Sequence, residues 1–137
     1  MIRVLLPVDG SESSVRAVQM VARSYPRLAP IEVRLLYVQV DDAVPSTTLD
    51  ERTRDDALET GNRALESAAA LLMQAGVPCS SDVRYGYVPS VIAQCAKSMN
   101  CDGIVMGTRG MGSSDEVLGS IARQVINFSD LPVTLIK

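Results

Sequence analysis

The alternation of apolar patterns along this chain predicts an α/β fold, an open and mostly parallel five-stranded sheet with helices on both faces. Short apolar runs of strand length alternate with stretches whose apolar residues return every three or four positions, in the order β, α, β, α, β, α, β, α, β. Ile2 to Pro7 is apolar but for one arginine and Ile104 to Met106 is apolar throughout, the pattern of strands covered on both faces. Crossover helices between such strands imply parallel neighbours joined by right-handed connections. Ligands bind to sheets of this kind beyond the carboxyl ends of the strands, at a switch point.

Ile2 to Pro7 is the first strand, and the turn and cap residues Val8-Asp9-Gly10-Ser11 end it. Ser11 is a good N-cap for a helix of about four turns with Val15, Val18, Ala22 and Tyr25 on its apolar face, stopped by Pro26. Ile31 to Val40 alternates and then turns almost wholly apolar, as a strand near a sheet's centre does. From Asp41 to Thr48 the chain is polar with no periodic face, a loop near the ligand end. Asp50 to Gly76 sets Leu58, Leu65, Ala69 and Leu72 on one helical face and stops at Gly76 and Pro78, with Gly61 as a weak point.

Ser81 to Tyr85 is a short third strand, and Pro89 sits acceptably in the first turn of a third helix. Ile92, Cys95, Ala96 and Met99 make its buried stripe, Asn100 closes it, and Asp102 opens the fourth strand. A last helix with Ile121, Val125 and Phe128 on its apolar face leads to the fifth strand, Val133 to Lys137. That strand is short, β-branched and terminal, which suits a sheet edge open to pairing with a second copy, although Pro132 and Lys137 are also edge-protecting residues. No repeat, linker or low-complexity tract interrupts the pattern, so residues 1–137 read as one domain, long enough to bury a core without staples.

A net charge of −3 with no basic cluster argues against a nucleic-acid or membrane-surface partner. The opening MIRVLLPVDG has too short an apolar run for a secretory segment, and the chain reads as cytoplasmic. Cys79, Cys95 and Cys101 lack Cys-x-x-Cys spacing and read as buried small hydrophobes; with no histidine in the chain, a zinc site is disfavoured.

The chemistry concentrates in Asp102 to Phe128, DGIVMGTRGMGSSDEVLGSIARQVINF, a strand, a glycine-rich segment and a helix start. Glycines let backbone amides approach a ligand closely, and a helix start adds unpaired N–H donors with positive dipole character, an arrangement suited to phosphate. The segment matches neither a P-loop nor a dinucleotide fingerprint, since Gly112 is followed by Ser113 and Ser114 and no third glycine completes Gly110-Met111-Gly112. An anion cradle and a surface loop rich in small residues both satisfy it. Asp9, at the end of the first strand, can accept hydrogen bonds from ribose hydroxyls or hold the start of the first helix. Asp9, Val38 and the glycine-rich segment then line one rim of the sheet.

VDGSESS after the first strand, LLYVQV in the second, GYVPSVI before the third helix and MGTRGMG, LGSIARQVI and LPVTLIK toward the end together resemble the universal stress protein family, over nearly the whole chain. The resemblance implies a flavodoxin-like, Rossmann-like five-stranded sheet of the adenine nucleotide alpha hydrolase kind, and a homodimer paired through Val133 to Lys137. The family's nucleotide-binding branch carries a Gly-x2-Gly-x9-Gly-Ser/Thr motif, of which Gly107 to Gly110 supplies the first half and Gly119-Ser120 the second. Carried over by position, Pro7, Val8 and Asp9 approach the adenosine, with the Asp9 carboxylate on the ribose, and Val38 meets the adenine through its backbone. Met106, Gly107 and Gly110 begin the phosphate loop, Arg109 reaches the phosphates or stands as a solvated cation, and Gly119, Ser120 and Ile121 offer amides and a hydroxyl.

The spacing departs from that motif. Eight residues, Met111 to Leu118, separate Gly110 from Gly119 where the motif has nine, and Asp115 and Glu116 place two carboxylates in the loop. Three outcomes are compatible with the shortened loop: retained ATP binding with or without magnesium, a preference for AMP or ADP, or loss of nucleotide. The resemblance therefore implies an ATP-binding or other adenine-nucleotide switch in stress response. The alternative is a dimeric interaction protein with a degenerate phosphate loop, and in either case the regulated partner protein is unidentified. The chain shows no nucleophile paired with a base and no carboxylate pair placed across a scissile bond, so slow ATP hydrolysis is the most turnover it implies.

Overall fold

A computed structural model describes residues 1–40, 51–109 and 118–137, with the side chains of residues 51–54 left aside. The elements are β1 (Ile2–Pro7), α1 (Glu12–Ser24) with a short 3₁₀ turn after it (Tyr25–Arg27), β2 (Ile31–Val40), α2 (Glu51–Gln74) and β3 (Cys79–Gly86). They continue with α3 (Val88–Ser98), β4 (Gly103–Gly107), α4 (Ser120–Phe128) and β5 (Val133–Ile136). The sheet order is β3-β2-β1-β4-β5 and every pairing is parallel. This is the predicted doubly wound class, with the strand order of the Rossmann arrangement. The chain winds outward from β1 through β2 to β3, then crosses to β4 on the other side of β1, and the carboxyl ends of β1 and β4 form the switch point.

Side chains alternate between the two faces of the central strands, which explains why those strands are apolar throughout. Val4 and Leu6 of β1, Val33, Leu35 and Tyr37 of β2 and Val105 of β4 pack with α1 and α2. Leu5, Leu36, Val38, Ile104 and Met106 face the other way and pack with α3 and α4. Two cores thus share one sheet.

The helix ends follow local chemistry. Ser11 caps α1, its Oγ accepting the Ser14 amide at 3.2 Å. Gly76 (φ 74°) and Asn100 (φ 56°) take the left-handed conformation that closes α2 and α3. In each case the next amide reaches back five residues, Val77 to the Leu72 carbonyl and Cys101 to that of Ala96, both at 2.9 Å.

Three expectations are corrected. Val15 is 43% exposed, and the inward face of α1 is instead Ser13, Ser14, Ala17, Val18 and Val21. Small residues are required there because α1 begins against the end of β4: a Cβ on Gly107 would lie 2.7 Å from the Ser13 carbonyl carbon and 2.8 Å from its oxygen. Phe128 is 52% exposed, while Ala122 and Val125 are the buried residues of α4. At 100° per residue Phe128 lies roughly 90° from the midpoint of those two, beyond the rim of a narrow buried face. Gly61 does not interrupt α2, which runs unbroken past it, and its local cost in helix propensity has a packing reason: a Cβ there would overlap the ring of Tyr37, which lies flush on the helix. Two smaller differences follow from packing: β3 is longer than expected and only half-buried at the sheet edge, and Met99 is peripheral to the α3 stripe.

At the amino ends of the strands, Arg3 ties four elements together. Its Nε pairs with the Glu32 carboxylate, its Nη1 donates to the Met99 carbonyl at 2.8 Å, and its amide donates to Asp102 Oδ2 at 2.8 Å. The hydrogen bond from Arg3 holds the Glu32 carboxyl below its ordinary range. A carboxyl whose folded-state value is depressed stabilises the fold above its unfolded value and loses that contribution as pH falls.

Two expectations arise. Gly61→Ala improves helix propensity by about 1 kcal/mol yet displaces Tyr37, so urea unfolding is expected to show a net loss of about 1–3 kcal/mol; a more stable variant would mean that the ring does not need the space. Glu32→Gln is expected to flatten the fall in stability from about pH 5 downward. Identical acid-unfolding profiles for the variant and wild type would exclude the pair from that dependence.

Candidate ligand-binding cavity

A cavity of about 590 Å³ opens beyond the carboxyl ends of β1, β2 and β4, where the strand order reverses. One wall is apolar, with Leu36 and Val38 of β2, Met106 of β4, and Val88 and Ile92 from the start of α3. Opposite them stand Ser11 and Ser14 of the α1 cap and Tyr37 with Asp56, Ala57 and Thr60 of α2. The remaining side is the exit of β4, Gly107 to Arg109, with Ser120, Ile121 and Ala122 of the first turn of α4.

Nine of the positions expected from sequence line this space: Pro7, Val8, Asp9, Val38, Met106, Gly107, Arg109, Ser120 and Ile121. Gly110 lies outside the described residues, as do Ser113, Asp115 and Glu116. Gly119 is the N-cap of α4, and its amide donates to the Thr108 carbonyl at 2.7 Å. That amide is thus bonded within the protein. Ser120, Ile121 and Ala122 lie in the first turn with no preceding helical carbonyl to bond, and the N-cap Gly119 has no side chain to cap them.

Asp9 does what the bland alternative expected of it: Oδ1 accepts the Ser11 amide at 2.9 Å and holds the turn into α1. It lines the cavity as well, so one carboxylate serves the turn and the wall together. Gly107 has a structural duty beside its place in the cavity, since only a residue without Cβ lets β4 end against the backbone of Ser13. Ser13 Oγ accepts the Arg109 amide at 3.2 Å, and the Thr108 amide donates to the Ile136 carbonyl at 3.0 Å. The exit of β4 is thereby held between α1 and β5.

Sequence reasoning missed Tyr37 and the α2 residues. The Tyr37 hydroxyl lies 2.7 Å from Gln39 Oε1 and 3.0 Å from the Ala57 carbonyl. Burial above all, and then the Asp9 carboxylate, push the Tyr37 hydroxyl above its ordinary range, so it stays protonated as a donor. The one signal for this wall is Gly61 within a helical pattern, which marks a close approach without saying what approaches. Thr108 was also missed as a lining residue, although it lies within the glycine motif.

Among the described residues the cavity therefore offers an apolar slot beside a helix start whose N-cap glycine brings no capping side chain, with Asp9, Asp56 and Arg109 as its charged lining. Such a pairing accepts a ligand with a flat apolar part and an anionic end. Among the described residues no helix is long and apolar enough to cross a membrane, and no group of three His, Cys, Asp or Glu side chains is placed to hold a metal ion.

The family model of the universal stress protein family matches residues 1–137. Universal stress protein Sll1654 of Synechocystis sp. is 33% identical over 135 residues, covering 97% of this chain and 83% of that protein. The solved structure of hypothetical protein MJ0577 superposes with a TM-score of 0.84 at 26% identity, over 98% of this chain and 94% of that one. The universal stress protein from Archaeoglobus fulgidus in complex with dAMP shares the fold at a TM-score of 0.75 and 22% identity, covering 100% of this chain and 98% of that one. By its sequence along the whole length and by its fold, the chain belongs to the universal stress protein family.

Proposed function

We propose that this protein binds an adenine nucleotide in the switch-point cavity, with ATP as its regulatory ligand, and works as a switch in stress response. The observation that carries this reading is the two-part chemistry of the cavity: an apolar slot beside the amides of Ser120, Ile121 and Ala122, at a helix start whose N-cap is a glycine. An adenine ring fits the slot and a phosphate fits the amides. The ligand of the Archaeoglobus fulgidus protein, dAMP, combines the same two parts. Pro7, Val8 and Asp9 are proposed to hold the ribose side, Val38 and Met106 the base, and Gly107, Arg109, Gly110, Gly119, Ser120 and Ile121 the phosphate side. Magnesium, in this reading, is carried by the ATP phosphates.

The whole of residues 1–137 is proposed to act as one domain and as half of a homodimer. β5 lies at the sheet edge. The carbonyls of Pro132 and Ile136 accept the amides of Ile104 and Thr108, so the backbone groups of Val133 and Leu135 point away from β4 and can pair with a second β5. The three cysteines are free thiols, in keeping with a cytoplasmic setting. A second reading, a dimeric interaction protein without nucleotide, is favoured by the eight-residue spacing between Gly110 and Gly119 and by Asp115 and Glu116.

Mass spectrometry of small molecules released by acid from freshly purified protein, followed by calorimetry with ATP and magnesium, separates the two readings. Adenine nucleotide in the extract, or saturable heat, is the expected result; neither would leave the interaction-protein reading. Sedimentation at micromolar concentration is expected to show dimer, and monomer alone would remove β5 pairing from the account.

A further inference from the structure

We infer that the outer edge of β3 pairs antiparallel with β3 of a second copy of this chain, about a two-fold axis at Val83, an inference independent of the nucleotide reading. β3 is the sheet edge opposite β5, and among the described residues no strand pairs with its outer side. An edge strand presents a row of unpaired backbone donors and acceptors. The Val33 amide donates to the Pro78 carbonyl at 2.9 Å, and the register sets Val33 beside Cys79. By the alternation of a parallel ladder, the backbone groups of Ser80, Asp82 and Arg84 then point to β2, and those of Ser81, Val83 and Tyr85 point outward.

This edge lacks two of the common protections. Its pairing with β2 runs unbroken from Cys79 to Gly86, without a bulge, and no proline lies within the strand. α2 and α3 pack chiefly over β2, so the helices stand back from the edge. Ser81, Arg84 and Tyr85 are exposed, Tyr85 by 62%.

Charge selects the occupant and its register. Asp82 and Arg84 stand in register with Leu36 and Val38, whose side chains face α3 and α4, so both charges lie on that face of the sheet. Among the described residues neither side chain takes part in a hydrogen bond or ion pair. With the two-fold at Val83, Asp82 of each copy lies directly opposite Arg84 of the other, and the outward backbone groups of the two Val83 residues meet. An axis at Asp82 or at Arg84 sets like charges against each other, and an axis at Ser81 or Tyr85 leaves both charges unmatched. Edge charges of one sign repel a second copy, whereas these two, of opposite sign at alternate positions, are complementary to themselves. Because β5 lies at the far edge, a chain that pairs through both edges assembles beyond the dimer.

The test is sedimentation velocity over a rising concentration series with wild type, Asp82→Arg, Arg84→Asp and the double swap, each checked for folding by circular dichroism. Wild type is expected to pass from dimer to tetramer and larger species as concentration rises. Each single reversal sets like charges in both cross-strand pairs and is expected to weaken that step by about ten- to a hundredfold. An equimolar mixture of the two single variants is expected to recover it, because one brings two arginines and the other two aspartates to the same contact. The double swap, Asp82→Arg with Arg84→Asp, is expected to assemble as wild type does. Reversals that assemble as wild type does, or a mixture no larger than its components, overturn the inference. Where a single variant fails to fold, a double swap that loses the larger species overturns the register. Dimer alone in wild type and in both reversals removes β3 pairing and leaves the β5 contact standing. Dimer in wild type with monomer in both reversals upholds β3 pairing and removes the β5 contact instead.

Discussion

The arrangement depends on one close approach, the end of β4 against the first turn of α1. Gly107 has no side chain to hold Ser13 away, and a Cβ there would meet the Ser13 backbone at 2.7 Å and 2.8 Å. No rotamer change relieves an overlap with backbone, so one helix or one strand would have to move. With the approach made, Ser13 Oγ takes the Arg109 amide and the Ile136 carbonyl takes that of Thr108. The chain leaving β4 is aimed into the opening between the two halves of the sheet, where α4 begins.

The opposite wall is built by a second close approach of the same kind. Tyr37 lies flat on α2 because Gly61 leaves room for its ring, and its hydroxyl reaches the Ala57 carbonyl and Gln39. This brings Asp56, Ala57 and Thr60 over the cavity although they lie on a helix well separated in sequence from the strand ends they face. Two glycines that read in sequence as a phosphate-loop residue and a helix defect are both places where a helix is seated. Their shared physical role is distance rather than flexibility.

Charge alone does not select the ligand. Among the described residues two acids and one arginine line the cavity, which by simple Coulomb counting is no anion trap. In the proposed reading, its attraction for a phosphate comes from the direction of amides. The Gly119 amide is spent on Thr108, the next three have no helical carbonyl, and the N-cap glycine of α4 brings no capping side chain. Dipoles fixed in place by the backbone need no reorganisation when a ligand arrives, unlike a long cationic side chain.

What the sequence determined was the class of fold and the address of the site. Strand runs apolar on both faces, helices of period 3.6 between them and the caps Ser11, Gly76 and Asn100 are local patterns, each written within a few residues, and the switch-point rule then locates the rim. Asp9, Val38 and the glycine-rich exit of β4 were legible for that reason, as the ends of strands that the order of elements brings together, while Pro7, Val8 and Met106 were carried by the family resemblance and Arg109 by the reading of the shortened loop. Only the tertiary structure decided the second wall from α2, the commitment of the Gly119 amide, the outward Val15 and the exposed Phe128. Each of these depends on how closely one packed element approaches another, and such distances are set by side chains far apart in sequence, which periodicity along one segment does not encode.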